Sequence, residues 1–139
     1  MRAPSSDAEM EAAMELRHEV FCVEQGVTVE ADRDGMDPQA EHLVAEQDGR
    51  VVGTCRLLID GHVARLGRMV VSRSVRGRGV GGLILAEADR VAAAHGATRI
   101  LLHAQVAARG VYDRAGYLPT SDVFVEEGIE HVSMEKHLA

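Results

Sequence analysis

The stretch Val70-Val71-Ser72-Arg73-Ser74-Val75-Arg76-Gly77-Arg78-Gly79-Val80-Gly81-Gly82 decides the fold, because its character changes twice. It ends an apolar, β-branched run, passes through a Gly/Arg-rich turn, and opens a segment with helical periodicity. In physical terms, a strand that ends in glycines and feeds a helix is an anion cradle. Glycine lets the backbone approach an anion closely and expose successive N–H groups, and the helix N-terminus adds a partial positive charge. Arg76 and Arg78 can add charge-assisted hydrogen bonds.

Read alone, the glycines fit more than one device. Gly77-x-Gly79-x-x-Gly82 has the letters of the dinucleotide fingerprint, which also needs an acidic residue about 20 positions on, after the next strand. That strand reads Ile100-Leu101-Leu102-His103-Ala104-Gln105, and no Asp or Glu stands between Asp89 and Asp113. A glycine-rich turn with no ligand remains the bland alternative.

Upstream, three strands are expected: His42 to Glu46, Arg50 to Ile59 and Val63 to Val71. Asp48-Gly49 and Asp60-Gly61 are the turn signals between them, which makes an antiparallel meander. A doubly wound dinucleotide fold does not start that way. Before the meander, Ser6-Asp7-Ala8-Glu9 has capping-box spacing, and Met10, Ala13, Met14, Val20 and Phe21 follow at helical intervals. Arg17 falls on that apolar face and is expected to be pinned by a carboxylate or by carbonyls. An acidic loop, Glu30 to Asp37, lies between. Its Asp32, Asp34 and Asp37 invite a metal reading, but Gly35 is misplaced for a calcium loop, so no metal is expected.

Downstream, Leu83 to His95 reads as a helix ended by Gly96, and Ile100 to Gln105 as a buried strand. Val106 to Ala115 is a short helix stopped by Gly116, and Asp122 to Glu126 and Ile129 to Lys136 close the chain as strands. The order predicts an α/β protein: one mixed, mostly antiparallel sheet flanked by helices, in a single domain over residues 1–139.

Composition narrows the partners. Hydrophobic residues are 46% and charged residues 27%, ordinary for a globular chain. With no Trp, two Phe and two Tyr, a base-stacking platform is hard to build, and a net charge of -7 disfavours nucleic acid. Arg65, Arg68, Arg73, Arg76 and Arg78 nonetheless form a local basic patch, better suited to a small anion than to a polymer. No apolar run approaches the roughly 20 residues of a membrane span, and no signal-peptide core is present. Cys22 and Cys55 have no metal-type spacing and read as reduced, small core residues in a cytoplasmic protein.

Several spaced motifs together are more specific than the glycines. Met69-Val70-Val71 followed by Arg76-x-x-Gly79-x-Gly81 resembles the acetyl-CoA-binding motif of the GCN5-related N-acetyltransferases. Val111-Tyr112-Asp113-Arg114-Ala115-Gly116-Tyr117-Leu118 is similar to that family's tyrosine-helix-glycine-aromatic segment. The N-terminal Leu16-Arg17-His18-Glu19-Val20-Phe21-Cys22-Val23-Glu24-Gln25-Gly26-Val27 resembles the ElaA/YjcF-like branch. So do Asp34-x-x-Asp37, His42-Leu43-Val44-Ala45 and Gly128-Ile129-Glu130-His131-Val132-x-Met134. Two departures stand out: Gln105 replaces a common Asn, and Glu130 replaces a Pro expected before His131. The family's first strand is shortened or missing, which leaves an edge that is exposed or completed by a second subunit, as in a homodimer.

The resemblance implies an acetyl-CoA-dependent N-acetyltransferase in which the amine of a small molecule or peptide attacks the thioester directly. Pantetheine would lie between the strand ending at Val71 and the Ile100–Gln105 strand. It would pair there with the backbone of Met69, Val70 and Val71 and lie near Gln105. Arg76, Gly77, Arg78, Gly79, Val80, Gly81 and Gly82 would hold the pyrophosphate. Tyr112 would donate a proton to the departing thiolate, the alternative being that its ring merely packs a short helix. His131 and Glu126 are candidates to accept the amine proton, with His42 and His103 ranked below them. The acidic loop is expected to be solvated beside the acceptor mouth, favouring cationic acceptors. A non-catalytic acyl-CoA sensor is the competing reading.

Overall fold

The computed structural model describes residues 6–138. Ser6 caps the first helix, α1 (Asp7–Arg17): its side chain accepts from the Glu9 N–H at 3.2 Å, as the capping-box spacing predicts. The spiral then continues through His18–Glu24 as a π-helix, a rare wider form often found at functional sites. The apolar spacing reads this stretch as one continuous helix and misses the widening. A single turn, α2 (Val29–Asp32), capped by Thr28, lies where the sequence suggests only loop.

Next come β1 (Glu41–Gln47), β2 (Arg50–Asp60) and β3 (Val63–Val71), paired antiparallel as expected. Asp48 and Gly49 both have positive φ, 53° and 78°, which gives the two-residue turn whose twist suits a hairpin. The second turn falls one residue later than expected, at Gly61 and His62, because Asp60 still pairs with Val63.

The crossover helix α3 (Val80–Ala94) starts three residues before the expected Leu83, so Gly81 and Gly82 belong to its first turn. It leads to β4 (Arg99–Gln105), which is parallel to β3. After α4 (Arg109–Arg114) come β5 (Leu118–Pro119), β6 (Phe124–Glu126) and β7 (Ile129–His137). The two-residue β5 leaves no periodic signal to read. The sheet order is β1-β2-β3-β4-β7-β5, with β6 also on β7, and among the pairings only β3–β4 is parallel. The α/β class with one mixed, mostly antiparallel sheet is as the sequence predicts.

Apolar side chains fill both faces. Ile84, Leu85, Ala88 and Ala92 of α3 are fully buried over Cys55, Leu57, Ala64, Ile100 and Leu102; a buried Leu or Ile contributes about 1.5–3 kcal/mol. On the other face, Leu16 and Val20 pack with Val70. That arrangement requires a β-bulge, because Leu66 faces α3 and simple alternation would send Val70 the same way. From Gly67 to Val70, β3 advances three residues while β2 advances two, from Arg56 to Thr54. Arg68 takes φ 52° to absorb the extra residue. Met69 and Val71 then turn to the α3 side, and Val70 turns to α1. No helix among the described residues is long and apolar enough to cross a membrane.

Candidate active site

The bulge opens the sheet. The β3–β4 ladder runs only from Val63–Arg99 to Leu66–Leu102, after which the strands continue unpaired with each other to Val71 and Gln105. Between them lies a cleft of about 1360 Å³. Of the three residues expected at its edge, Val70 is buried, while Met69 and Val71 are half-buried against the core. Their side chains are packing, and what they turn toward the cleft is backbone.

At one end stands the glycine turn. Gly77 and Gly79 both have φ 81°, a left-handed conformation that β-branched residues strongly disfavour. Gly79 caps α3, with no side chain satisfying the first-turn amides and no acidic residue in that turn. Space is open where a Cβ at Gly77, Gly79 or Gly82 would sit, whereas one at Gly81 would lie 3.2 Å from Val111 Cγ2. The residues therefore fit an anion laid against bare backbone. Arg78 is exposed, with no hydrogen bond or ion pair among the described residues. Arg76 is tied instead: Nε donates to Val71 O at 3.0 Å, and its two Nη atoms donate to the Glu24 carboxylate at 2.8 and 2.9 Å. The Arg76 hydrogen bonds hold Glu24 below the usual carboxylate range.

Tyr112 lies on α4, lines the cleft and is 7% exposed. Its ring meets Tyr117 edge-on at 6.0 Å, and its hydroxyl has no hydrogen bond among the described residues. Burial, with a smaller contribution from Cys55, pushes the phenol up to about 12, so it is protonated at any working pH. Burial likewise raises the Cys55 thiol to about 12, which suits the expected core role.

The opposite side is held together by side-chain pairs. Gln105 and Gln25 exchange amide hydrogen bonds at 2.9 and 3.3 Å, linking the tip of β4 to the end of the π-helix. His131 is 8% exposed and donates from Nδ1 to Ile129 O at 2.7 Å, since a carbonyl can only accept. His103 and Glu126, unrelated in sequence, meet at 3.0 Å. Glu24 and Gln25 fall in the N-terminal segment that carries the resemblance, but their contacts with Arg76 and Gln105, like that of His103 with Glu126, carry no local sequence signal, because each depends on a partner from a distant segment.

The acidic loop is only partly solvated, which corrects part of the expectation: Glu30 and Asp34 are exposed, but Asp32 is buried and Asp32, Asp34 and Asp37 are all ion-paired. Asp32 is 2% exposed and receives Arg17, which is itself 1% exposed. Arg17 also binds Asp37 at 2.8 Å, Arg56 binds Asp34 at 2.5 Å and Asp37 at 3.1 Å, and Arg68 binds Asp34 at 3.1 Å. The three Asp carboxylates meet four guanidiniums, those of Arg17, Arg33, Arg56 and Arg68, so the loop offers an incoming cation no net negative charge. Burying charge is costly, and pairing plus hydrogen bonding is what makes it tolerable. Arg17 is pinned by carboxylates, as its place on an apolar helix face suggests. Among the described residues no group of His, Cys, Asp and Glu is arranged to hold a metal ion.

Comparison with known proteins agrees with this geometry. The family model for the "Acetyltransferase (GNAT) domain" matches residues 4–138. The N-acetyltransferase YjcF of Bacillus subtilis is 33% identical, over 94% of this chain and 94% of its own. The crystal structure of Escherichia coli ElaA superposes with a TM-score of 0.84 at 28% identity, covering 95% of this chain and 92% of that one. An aminoglycoside 6'-N-acetyltransferase complexed with coenzyme A shares the fold, with a TM-score of 0.78 at 14% identity over 99% of this chain and 96% of that one. The fold is thus a known one: the chain belongs to the GCN5-related N-acetyltransferase (GNAT) family and is an acyltransferase.

Proposed function

We propose that the protein moves an acetyl group from acetyl-CoA to the amine of a small molecule or peptide, by direct attack within a ternary complex. The observation that carries this reading is the parting of β3 from β4 beside an uncapped helix N-terminus. A gap with one backbone edge suits the pantetheine amides, and bare amides at its end suit a pyrophosphate. Met69, Val70 and Val71 are the proposed pantetheine edge, with Gln105 across from them. Arg76, Gly77, Arg78, Gly79, Val80, Gly81 and Gly82 are the proposed pyrophosphate cradle, and Arg76 positions the turn by holding Val71 and Glu24 together. One N–H of the β3 edge is placed to stabilise negative charge on the thioester oxygen as it develops.

Tyr112 is the proposed acid. A phenol raised by burial stays protonated until a thiolate, desolvated in the same cleft, needs its proton. His131 is the proposed acceptor for the proton released at the reacting nitrogen. Its Nδ1–H is committed to Ile129 O, so Nε2 keeps a lone pair. The test is free-thiol release from acetyl-CoA across a panel of amines. Release above the no-amine background, with a matching acetylated product, supports the reading. Tight acetyl-CoA binding with no release from any amine would reduce the protein to a coenzyme sensor.

A further inference from the structure

An alkylamine reaches a neutral cleft as an ammonium ion, with a pKa of about 10. It must lose one proton to expose the lone pair that attacks and a second as the amide forms. One acid and one buried acceptor at the reacting centre account for the second proton and the thiolate. They leave the first unassigned.

The acceptor side of the cleft holds a second imidazole that the mechanism has not used. His103 stands two residues before Gln105 on β4, about 7 Å down the strand and on the same face. Gln105 pairs across the sheet with His131, and His103 with Ser133. Both histidines line the cleft, as does Glu126. The His103 side chain is 55% exposed, and its Nδ1 donates at 3.0 Å to Glu126, which reaches over from β6. A carboxylate accepts and does not donate, so in the neutral ring the Glu126 contact puts the proton on Nδ1 and the lone pair on Nε2. Phe124 fixes the ring plane: it meets His103 edge-on at 5.1 Å and stacks on His131 at 6.0 Å. His131 is therefore buried at the level of the β4 tip, and His103 is open to water one step back along the strand, just beyond the point where β3 and β4 part.

We propose that His103 Nε2 takes the first proton from the acceptor ammonium, with Glu126 as its positioning residue. The N–H bond breaks, its electron pair stays on nitrogen, and the proton passes from the imidazolium to water. Over a turnover the ammonium loses two protons: one is released, and the other replaces the proton given to the thiolate. The inference rests on the acetyl-transfer reading above.

Ethylamine and 2,2,2-trifluoroethylamine separate the two histidines. They are alike in size, but the second is already neutral at pH 7 and has no first proton to lose. In a thiol-release assay, His103→Gln should lower kcat/KM for ethylamine by about 10², the usual worth of a positioned base. The loss with trifluoroethylamine should be at least about tenfold smaller. Glu126→Gln should show the same bias more weakly, and His131→Gln should depress both amines alike. Equal losses with both amines in His103→Gln, or no loss with either, overturns the proposal, because a merely structural role does not sense the charge of the acceptor. Release from no amine of the panel, these two included, by the wild type sinks the acetyl-transfer reading, and this inference with it.

Discussion

Part of the cleft's surroundings is backbone and part is paired side chains. The Met69–Val71 edge and the Gly77–Gly82 turn are mostly backbone: apart from the exposed Arg78, their side chains are absent or packed against the core. The rest is held by side-chain pairs, Arg17–Asp32 and Arg56–Asp34 beside β3 and Gln25–Gln105 and His103–Glu126 beside β4, whose members lie 15, 22, 80 and 23 residues apart. A backbone site must keep side chains away, and glycine is the residue that does so, so the site marks its own sequence. A site made of paired side chains uses residues that are ordinary anywhere on a surface. Their meaning lies in the partner.

The sharpest way to break this contrast is to put a side chain into the backbone wall. Gly79→Val should abolish coenzyme binding, because valine resists a φ near 81° and its Cβ would enter the open space proposed for the pyrophosphate. Calorimetric titration with coenzyme A checks this, alongside a thermal melt of the free protein. Unchanged affinity would place the cradle elsewhere and leave the glycines without a function.

Tyr112→Phe asks the opposite question, since it removes a single polar atom from the cleft. With saturating acceptor, kcat should fall by about 10²–10⁴, while coenzyme affinity stays close to wild type. Stability should change little, because the Tyr112 hydroxyl makes no hydrogen bond among the described residues and the ring that packs on Tyr117 is kept. A wild-type rate would end the acid role and leave positioning and thioester polarisation to carry catalysis.

The smallest expected effect concerns the paired wall as a whole. The Arg56 hydrogen bonds hold Asp34 well below the carboxylate range. For Asp37 burial pulls upward, but Arg17 and Arg56 together outweigh it and the net direction is down. Groups depressed in the folded state stabilise it above their unfolded pKa, about 3.9 for Asp, and lose that contribution as pH falls through the folded values. Melting temperature should therefore fall by several degrees between about pH 5 and pH 2. Asp34→Asn should flatten part of that slope, an effect kept modest by solvent at this partly exposed carboxylate. An identical slope in the variant would mean that the cluster is not what acid dissolves first.

Legibility followed the same division. The meander, the crossover helix and the glycine turn were readable because strand alternation, helical spacing and turn chemistry are all local signals. The π-helix was not, since widening a helix by one residue per turn barely disturbs its apolar spacing over seven residues. Asp32 read as solvated for want of its partner: a carboxylate in a loop looks wet until Arg17, on another helix, is seen to cover it. His103 ranked below His131 for the same reason, since nothing near it in the sequence announces Glu126.

The bulge at Arg68 has a further consequence, for how this fold tolerates evolution. One surplus residue in β3 lets the strand serve two cores and still leave its neighbour. Deleting it would restore the ladder to β2 and return Val70 to the face it now avoids, and the sheet would have reason to zip shut beyond Leu66. Such a protein would be more regular and better paired, and it would have nowhere to put a thioester. Selection for tidiness and selection for turnover pull on that single residue in opposite directions.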